Sequence, residues 1–290
     1  MITRRNLLAA AAALLLPLAP AQAQQGAKVD VLASFSVIAD LVRQVGAERV
    51  EVRSIVALSQ DPHEFEPSPS DVRRVMKAQL IVLNGLGFEP WADRFVKAAN
   101  YKGERLVASR GVKALSVRGA LDPHAWQDVE NVKLYIENIR EGLTRVDPAG
   151  ATDYARNASA YGLELDALHR QIKASFAAIP KAQRKVISSH DSFHYFGVAY
   201  DVTFLAPQGI SSSAEPSARD VAGIIKQIRA EKIKAIFFEN ALPQQLARQI
   251  ASETGVQIAG KLYADVLGDD VRSYAQMMRH NSETILAALK

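Results

Sequence analysis

Residues 29–56, VDVLASFSVIADLVRQVGAERVEVRSIV, read as a strand, a helix and a second strand. Val29 to Ser34 is a short apolar run. Val37 to Val45 places apolar side chains at helical spacing up to a stop at Gly46, and Val50 to Val56 returns to a strand pattern. Two strands joined through a helix in this way lie parallel. The alternation continues outward. Ser70 and Asp71 can cap a helix running to Ala78, Leu80 to Leu83 is a short buried strand ending at Asn84-Gly85, Glu89 to Ala99 is amphipathic, and Leu106 to Ala108 closes a fourth strand. Such a pattern predicts an α/β fold, a mostly parallel sheet flanked by helices, with ligands bound beyond the carboxyl ends of the strands.

Asp128 to Arg145 is helical, Asp147-Pro148 interrupts it, and residues 149–178 carry Tyr154, Ala158, Tyr161, Leu165, Leu168, Ile172 and Phe176 at helical spacing. A helix of that length spans about 45 Å, more than one lobe requires, and is expected to act as a rigid strut between two lobes. The strand-helix rhythm then restarts. Strands are expected at Lys185–Ser189, Val202–Leu205, Ala235–Phe238 and Val256–Ala259, with helices at Phe193–Tyr200, Ala218–Ala230, Gln244–Thr254 and Val271–Leu289. The expected organisation is an N-terminal α/β lobe at 24–148, a connecting helix at 149–178 and a C-terminal α/β lobe at 179–290.

The chemistry gathers in the loops. Asp61-Pro62-His63-Glu64-Phe65-Glu66-Pro67 puts a histidine in a proline-stiffened segment, Asp122-Pro123-His124 repeats the lead-in, and His190 follows the apolar run Val186-Ile187. Three loop histidines suggest one metal. Their separations, and that to the acidic candidate Asp265, are too long for a zinc finger or a single helix turn, so the fold must assemble the site. Glu239 also directly follows a strand and competes with Asp265 as fourth ligand, or supports a ligand histidine from behind. His194 reads as packing or hydrogen-bonding nearby, His169 and His280 as solvated or packing side chains, Trp91 and Trp126 as packing groups, and Ser211-Ser212-Ser213 as a flexible loop. Glu64 and Glu66 do not form the His-Glu-x-x-His pattern of a zinc protease.

Residues 1–23 combine Arg4-Arg5, an apolar run from Leu7 and Ala21-Gln22-Ala23, the plan of an export signal, and so predict an extracytoplasmic protein. Without them the chain carries 33 basic and 31 acidic side chains, which gives no nucleic-acid footprint. It has no cysteine, which excludes disulfides, a lipidated cysteine and thiolate metal ligands.

With these motifs in place, the chain resembles the metal-binding solute-binding proteins of ABC importers. The resemblance spans the mature chain through the two Asp-Pro-His loops, Asn84-Gly85-Leu86-Gly87-Phe88-Glu89-Pro90-Trp91, His190-Asp191-Ser192-Phe193-His194-Tyr195-Phe196 and Leu262-Tyr263-Ala264-Asp265. It implies a monomeric periplasmic receptor of two lobes joined by a rigid helix, handing a divalent ion to a membrane permease. Position by position, the implied ligands are His63, His124, His190 and Asp265. Zinc is the expected cargo, with manganese as the alternative. Zinc-dedicated members often insert a histidine-rich loop before the second histidine, whereas residues 110–120 here contain none. A periplasmic zinc hydrolase is the competing class, requiring an open coordination position and a general base. An adhesin is a third, without a sequence feature that points to a partner surface.

Overall fold

The computed structural model describes residues 27–290 except 59, 118 and 213–215; the expected export signal lies outside the described residues. In the first half, β1 (Val29–Ala33), β2 (Val50–Ser54), β3 (Leu80–Leu83) and β4 (Glu104–Val107) form a parallel sheet in the order β2-β1-β3-β4. All of β3 is buried, as the four-residue apolar run Leu80-Ile81-Val82-Leu83 requires of a central strand. Helix α1 (Ser36–Gly46) buries Val37, Ile38, Leu41, Val42 and Val45 along one face. Gly46 lets it close tightly onto β2, because a Cβ there would stand 2.4 Å from the Val50 methyls.

The helix after the His63 loop, α2 (Pro69–Val75), starts earlier than expected. Ser68 is its cap, in a reciprocal bond with Asp71, and Pro69 takes the first helical position, where no amide hydrogen is needed. Helix α3 (Ala92–Ala98) starts later than expected, since the Glu89 carboxylate turns back to accept the amides of Asn84 at 2.6 Å and Gly85 at 3.0 Å. A small hairpin, β5 (Ser116–Val117) and β6 (Ala120–Leu121), occupies the stretch before the second Asp-Pro-His, and α4 (Val129–Val146) follows, capped by Asp128.

The long helix α5 (Ala151–Ala177) buries all seven of the apolar positions named above and spans about 40 Å. It packs against α1 and α4 on one side of the molecule and, on the other, against α6 (His194–Tyr200) and α9 (Tyr274–Leu289). The second sheet contains β7 (Lys185–Ile187), β8 (Thr203–Leu205), β9 (Ala235–Glu239) and β10 (Gln257–Leu262), parallel and ordered β10-β9-β7-β8, with α7 (Ala218–Glu231) and α8 (Gln245–Thr254) as crossovers. Both sheets reverse direction around their first strand, β1 or β7. Crevices open at the carboxyl ends of strands where such a reversal occurs. Within the described residues no helix is long and apolar enough to cross a membrane.

Candidate metal centre

Both Asp-Pro-His loops fold by one local device. Asp61 Oδ1 accepts the His63 amide at 2.9 Å, and Asp122 Oδ1 accepts the His124 amide at 2.9 Å, so each aspartate closes a turn around its proline. The two proline carbonyls are then held by the stretch after β3. Trp91 Nε1 donates to the Pro62 carbonyl at 3.2 Å, and Asn84 Nδ2 donates to the Pro123 carbonyl at 3.0 Å, with Tyr135 donating to Asn84 Oδ1 at 2.7 Å. Trp91 is therefore a hydrogen-bond donor to the site as well as a packing group.

His190 follows β7 and is fully buried, as is His124. Glu239, at the end of the adjacent β9, accepts the His190 amide at 2.9 Å and lies 2.5 Å from its ring Nδ1. Asp122 Oδ1 stands 2.8 Å from His124 Nδ1. Each buried imidazole thus has its Nδ1 engaged by a carboxylate and turns Nε2 inward, the arrangement that fixes ring orientation in histidine metal sites.

Asp265 sits in the loop after β10, and that loop is tied down by its own half, through Asn240 and Asn281, and by the opposite half of the molecule. The Ala264 carbonyl accepts from Trp126 Nε1 at 2.9 Å and Gln127 Nε2 at 2.8 Å, Ser36 Oγ accepts the Leu267 amide at 2.8 Å, and Asp40 Oδ2 accepts the Tyr274 amide at 2.8 Å. Nothing in the sequence pattern indicates these pairings, which join residues more than 130 positions apart.

The result brings His63, His124, His190 and Asp265 together, with one donor atom from each inside a 4.8 Å cluster. His124 Nε2 is 3.3 Å from His63 Nε2 and 3.4 Å from His190 Nε2; Asp265 Oδ2 is 3.5 Å from His63 Nε2 and 3.4 Å from His190 Nε2, and Oδ1 is 3.5 Å from His124 Nε2. Burial opposes ionisation at both His190 and Asp265. The charges of Glu239 and Asp265 nevertheless hold the His190 pKa well above the usual imidazole value, and His190 in turn holds Asp265 well below the usual carboxylate value. Asp265 Oδ1 is buried with no hydrogen-bond partner among the described residues.

The other candidates lie elsewhere. Glu239 stands behind His190 and is not in the four-donor cluster. His194 begins α6, His169 faces Tyr200 on the strut, and His280 packs on Tyr263 and bonds the Lys261 carbonyl at 2.9 Å. Ser212 bonds Asp61, so that serine joins the site's surroundings; Ser213 lies outside the described residues. Glu64 and Glu66 are exposed, and Glu239 is engaged with His190, which leaves the hydrolase alternative without support from a general base.

Comparison with known proteins matches residues 31–288 to the family described as zinc-uptake complex component A periplasmic, ZnuA. The manganese-binding lipoprotein MntA of Halalkalibacterium halodurans is 32% identical over 271 residues, covering 92% of this chain and 90% of that protein. Among solved structures, the periplasmic zinc binding protein TroA from Treponema pallidum superposes with a TM-score of 0.87 at 28% identity, covering 90% of this chain and 99% of its own. An Mn-bound periplasmic metal binding protein from Candidatus Liberibacter asiaticus gives 0.83 at 28% identity, over 91% of this chain and all of that one. The chain belongs to the zinc-uptake component A family, metal-binding receptors of ABC transporters rather than enzymes.

Proposed function

We propose that His63, His124, His190 and Asp265 bind one divalent ion, zinc in preference to manganese, which the protein captures outside the cytoplasm and delivers to an ABC permease. The donor set, three imidazole nitrogens and one carboxylate converging within 4.8 Å, carries this reading. A regular tetrahedron with metal–donor bonds of about 2.0–2.1 Å has edges of about 3.3–3.4 Å, the separations expected around zinc. Five of the separations here are 3.3 to 3.5 Å, those to Asp265 taken through both of its oxygens, and one donor atom from each residue lies within 4.8 Å of the others. Three imidazoles and one carboxylate suit a four-coordinate zinc, whereas manganese favours more oxygen ligands and stands at the weak end of the divalent series. The unpartnered Asp265 Oδ1 supports the same conclusion, because a cation offsets the cost of burying it.

Manganese is the second reading. It is favoured by the manganese named for MntA and the Liberibacter protein, and by the absence of histidine from residues 110–120.

In this reading the lobes at 24–148 and 179–290 flank the cleft and the segment 149–178 braces them. Residues 1–23 form an export signal cleaved at or near Ala23, the mature protein works as a periplasmic monomer, and no cysteine is available for acylation. Calorimetry on metal-free protein, with zinc and manganese in matched competition, tests the assignment. One strong equivalent that prefers zinc and is lost in His124→Ala is the expected result; unchanged affinity in that variant would sink it.

A further inference from the structure

The four donors are not held alike. His124 and His190 are fully buried, and each ring is anchored at Nδ1 by a carboxylate. Asp265 rides on a loop bonded to Ser36, Asp40, Trp126 and Gln127. His63 has its backbone pinned by Asp61, but among the described residues no carboxylate engages its Nδ1; beyond the other donors its ring meets Phe88 edge-on at 4.8 Å. His63 is also the one donor of the four that lines the large cleft on the molecular surface. That cleft, about 660 Å³, is walled by Leu86, Pro90, Val117, Leu121, Pro123 and Ile210 beside His63, with Asp191 and Ser211 as its polar members.

Leu86 stands on this wall in a left-handed conformation, φ 55°, between Gly85 at 87° and Gly87 at 82°. A leucine pays a steric cost there that the flanking glycines do not, and strained backbone persists where the surroundings over-determine it. The surroundings do so: Glu89 clamps the amides of Asn84 and Gly85, and the Phe88 amide bonds the Gly85 carbonyl at 3.1 Å. The loop therefore holds an apolar side chain over the approach to His63.

We propose that the metal enters and leaves past His63, through the mouth rimmed by Leu86 and Leu121, and that His63 is the first donor to let go. The proposal rests on the four-donor reading above. A ring without a carboxylate anchor rotates away from the ion without breaking a charge-assisted bond, while the anchored rings and Asp265 retain it until an incoming ligand takes the vacated position. The wall on the side of Leu86, Pro90 and Leu121 is apolar, while Asp191 and Ser211 place oxygen atoms on the rest of the passage.

Stopped-flow transfer of zinc from the loaded full-length protein to a chromogenic chelator tests it, alongside equilibrium affinity by competition. Leu121 is 55% exposed, so Leu121→Trp narrows the mouth without touching the core. It should slow both loading and removal by about fivefold or more while affinity moves far less, since a barrier changes both rates together. Leu86→Gly should accelerate both. Leu163→Trp, on the exposed face of α5, is the control and should change neither. Wild-type exchange rates in both mouth variants, or rates that change only in step with affinity, overturn the proposal. Failure of the ligand reading itself looks different, as His124→Ala would then bind zinc as the parent does.

Discussion

Glu239 bonds His190 at two points, its Oε1 accepting the backbone amide at 2.9 Å and its Oε2 lying 2.5 Å from the ring Nδ1. Asp122 does the same for His124 through one oxygen, at 2.9 and 2.8 Å. Removing the charge while keeping the shape, as in Glu239→Gln or Asp122→Asn, should lower zinc affinity by about 10- to 100-fold, the usual effect of losing such a partner. Competition titration checks this. Equal affinity in both variants would mean that the carboxylates serve only the loops.

The same contacts fix a pH response. Burial pulls the His190 pKa down, but the Glu239 and Asp265 charges prevail and raise it well above the usual imidazole value. The metal-free protein should therefore carry a proton on His190 near pH 7, and an incoming ion must displace it. Zinc binding should release about one proton, read from calorimetry in buffers of different ionisation enthalpy. The signs for stability run in opposite directions. The raised His190 pKa contributes stability that is fully present below ~6.5 and lost as pH rises through the higher folded value. Asp265, held low by His190 against burial, contributes above ~3.8 and loses it as pH falls through its lower folded value. Metal-free protein should be most stabilised by this pair between those limits.

Much of this was legible in the chain itself. The βαβ runs, the uninterrupted apolar seam from Tyr154 to Phe176 and the repeated Asp-Pro-His are local patterns, and local patterns survive without tertiary information. Element ends were less legible. Glu89 looked like a helix residue by type, yet it serves as an acceptor for two amides behind it, and Ser68 takes over the capping expected of Ser70. The partners of the site were not legible either. Asp40 and Ser36 read as the polar side of α1, while their bonds go to Tyr274 and Leu267. Glu239 reaches His190 Nδ1 and Asp265 reaches Nε2, a difference no spacing encodes.

Asp40 carries a prediction of its own. It is 5% exposed, and burial raises its pKa while the Tyr274 amide and Gln44 counter the shift. Asp40→Ala leaves the Tyr274 amide without its acceptor and frees one end of the loop bearing Asp265. Loss of about 1–3 kcal/mol in urea denaturation is expected, together with weaker zinc binding. Asp40→Asn keeps an acceptor and should lose less of both. A destabilised Asp40→Ala protein with parental affinity would show that the loop does not depend on this bond.

The strut is expected to restrict movement between the lobes. Helix α5 packs on α1 and α4 at one side and α6 and α9 at the other, with Arg279 of α9 reaching Gln171 at 3.2 Å and Glu164 at 3.6 Å. A continuous helix has few residues able to absorb a large backbone rotation. Small-angle scattering should give nearly the same radius of gyration with and without metal. A clear contraction on binding would instead indicate a flexible hinge.

Metal choice should turn on the pairing of position 190 with Glu239. Exchanging His190 for glutamate supplies the oxygen donor that manganese prefers, so in isolation the change ought to shift preference away from zinc. Here the new carboxylate would face Glu239, which lies 2.5 Å from the present ring and is 2% exposed. Two buried carboxylates at that range cannot both ionise without a large cost, so one would hold a proton and bind metal poorly. His190→Glu alone is therefore expected to weaken zinc and manganese together, zinc more. Adding Glu239→Gln removes the repulsion and supplies an amide donor to the new carboxylate. The double variant should regain manganese binding by about tenfold or more over His190→Glu, while zinc stays well below the parent. If the double variant binds manganese no better than the single one, Glu239 is not what reserves position 190 for an imidazole.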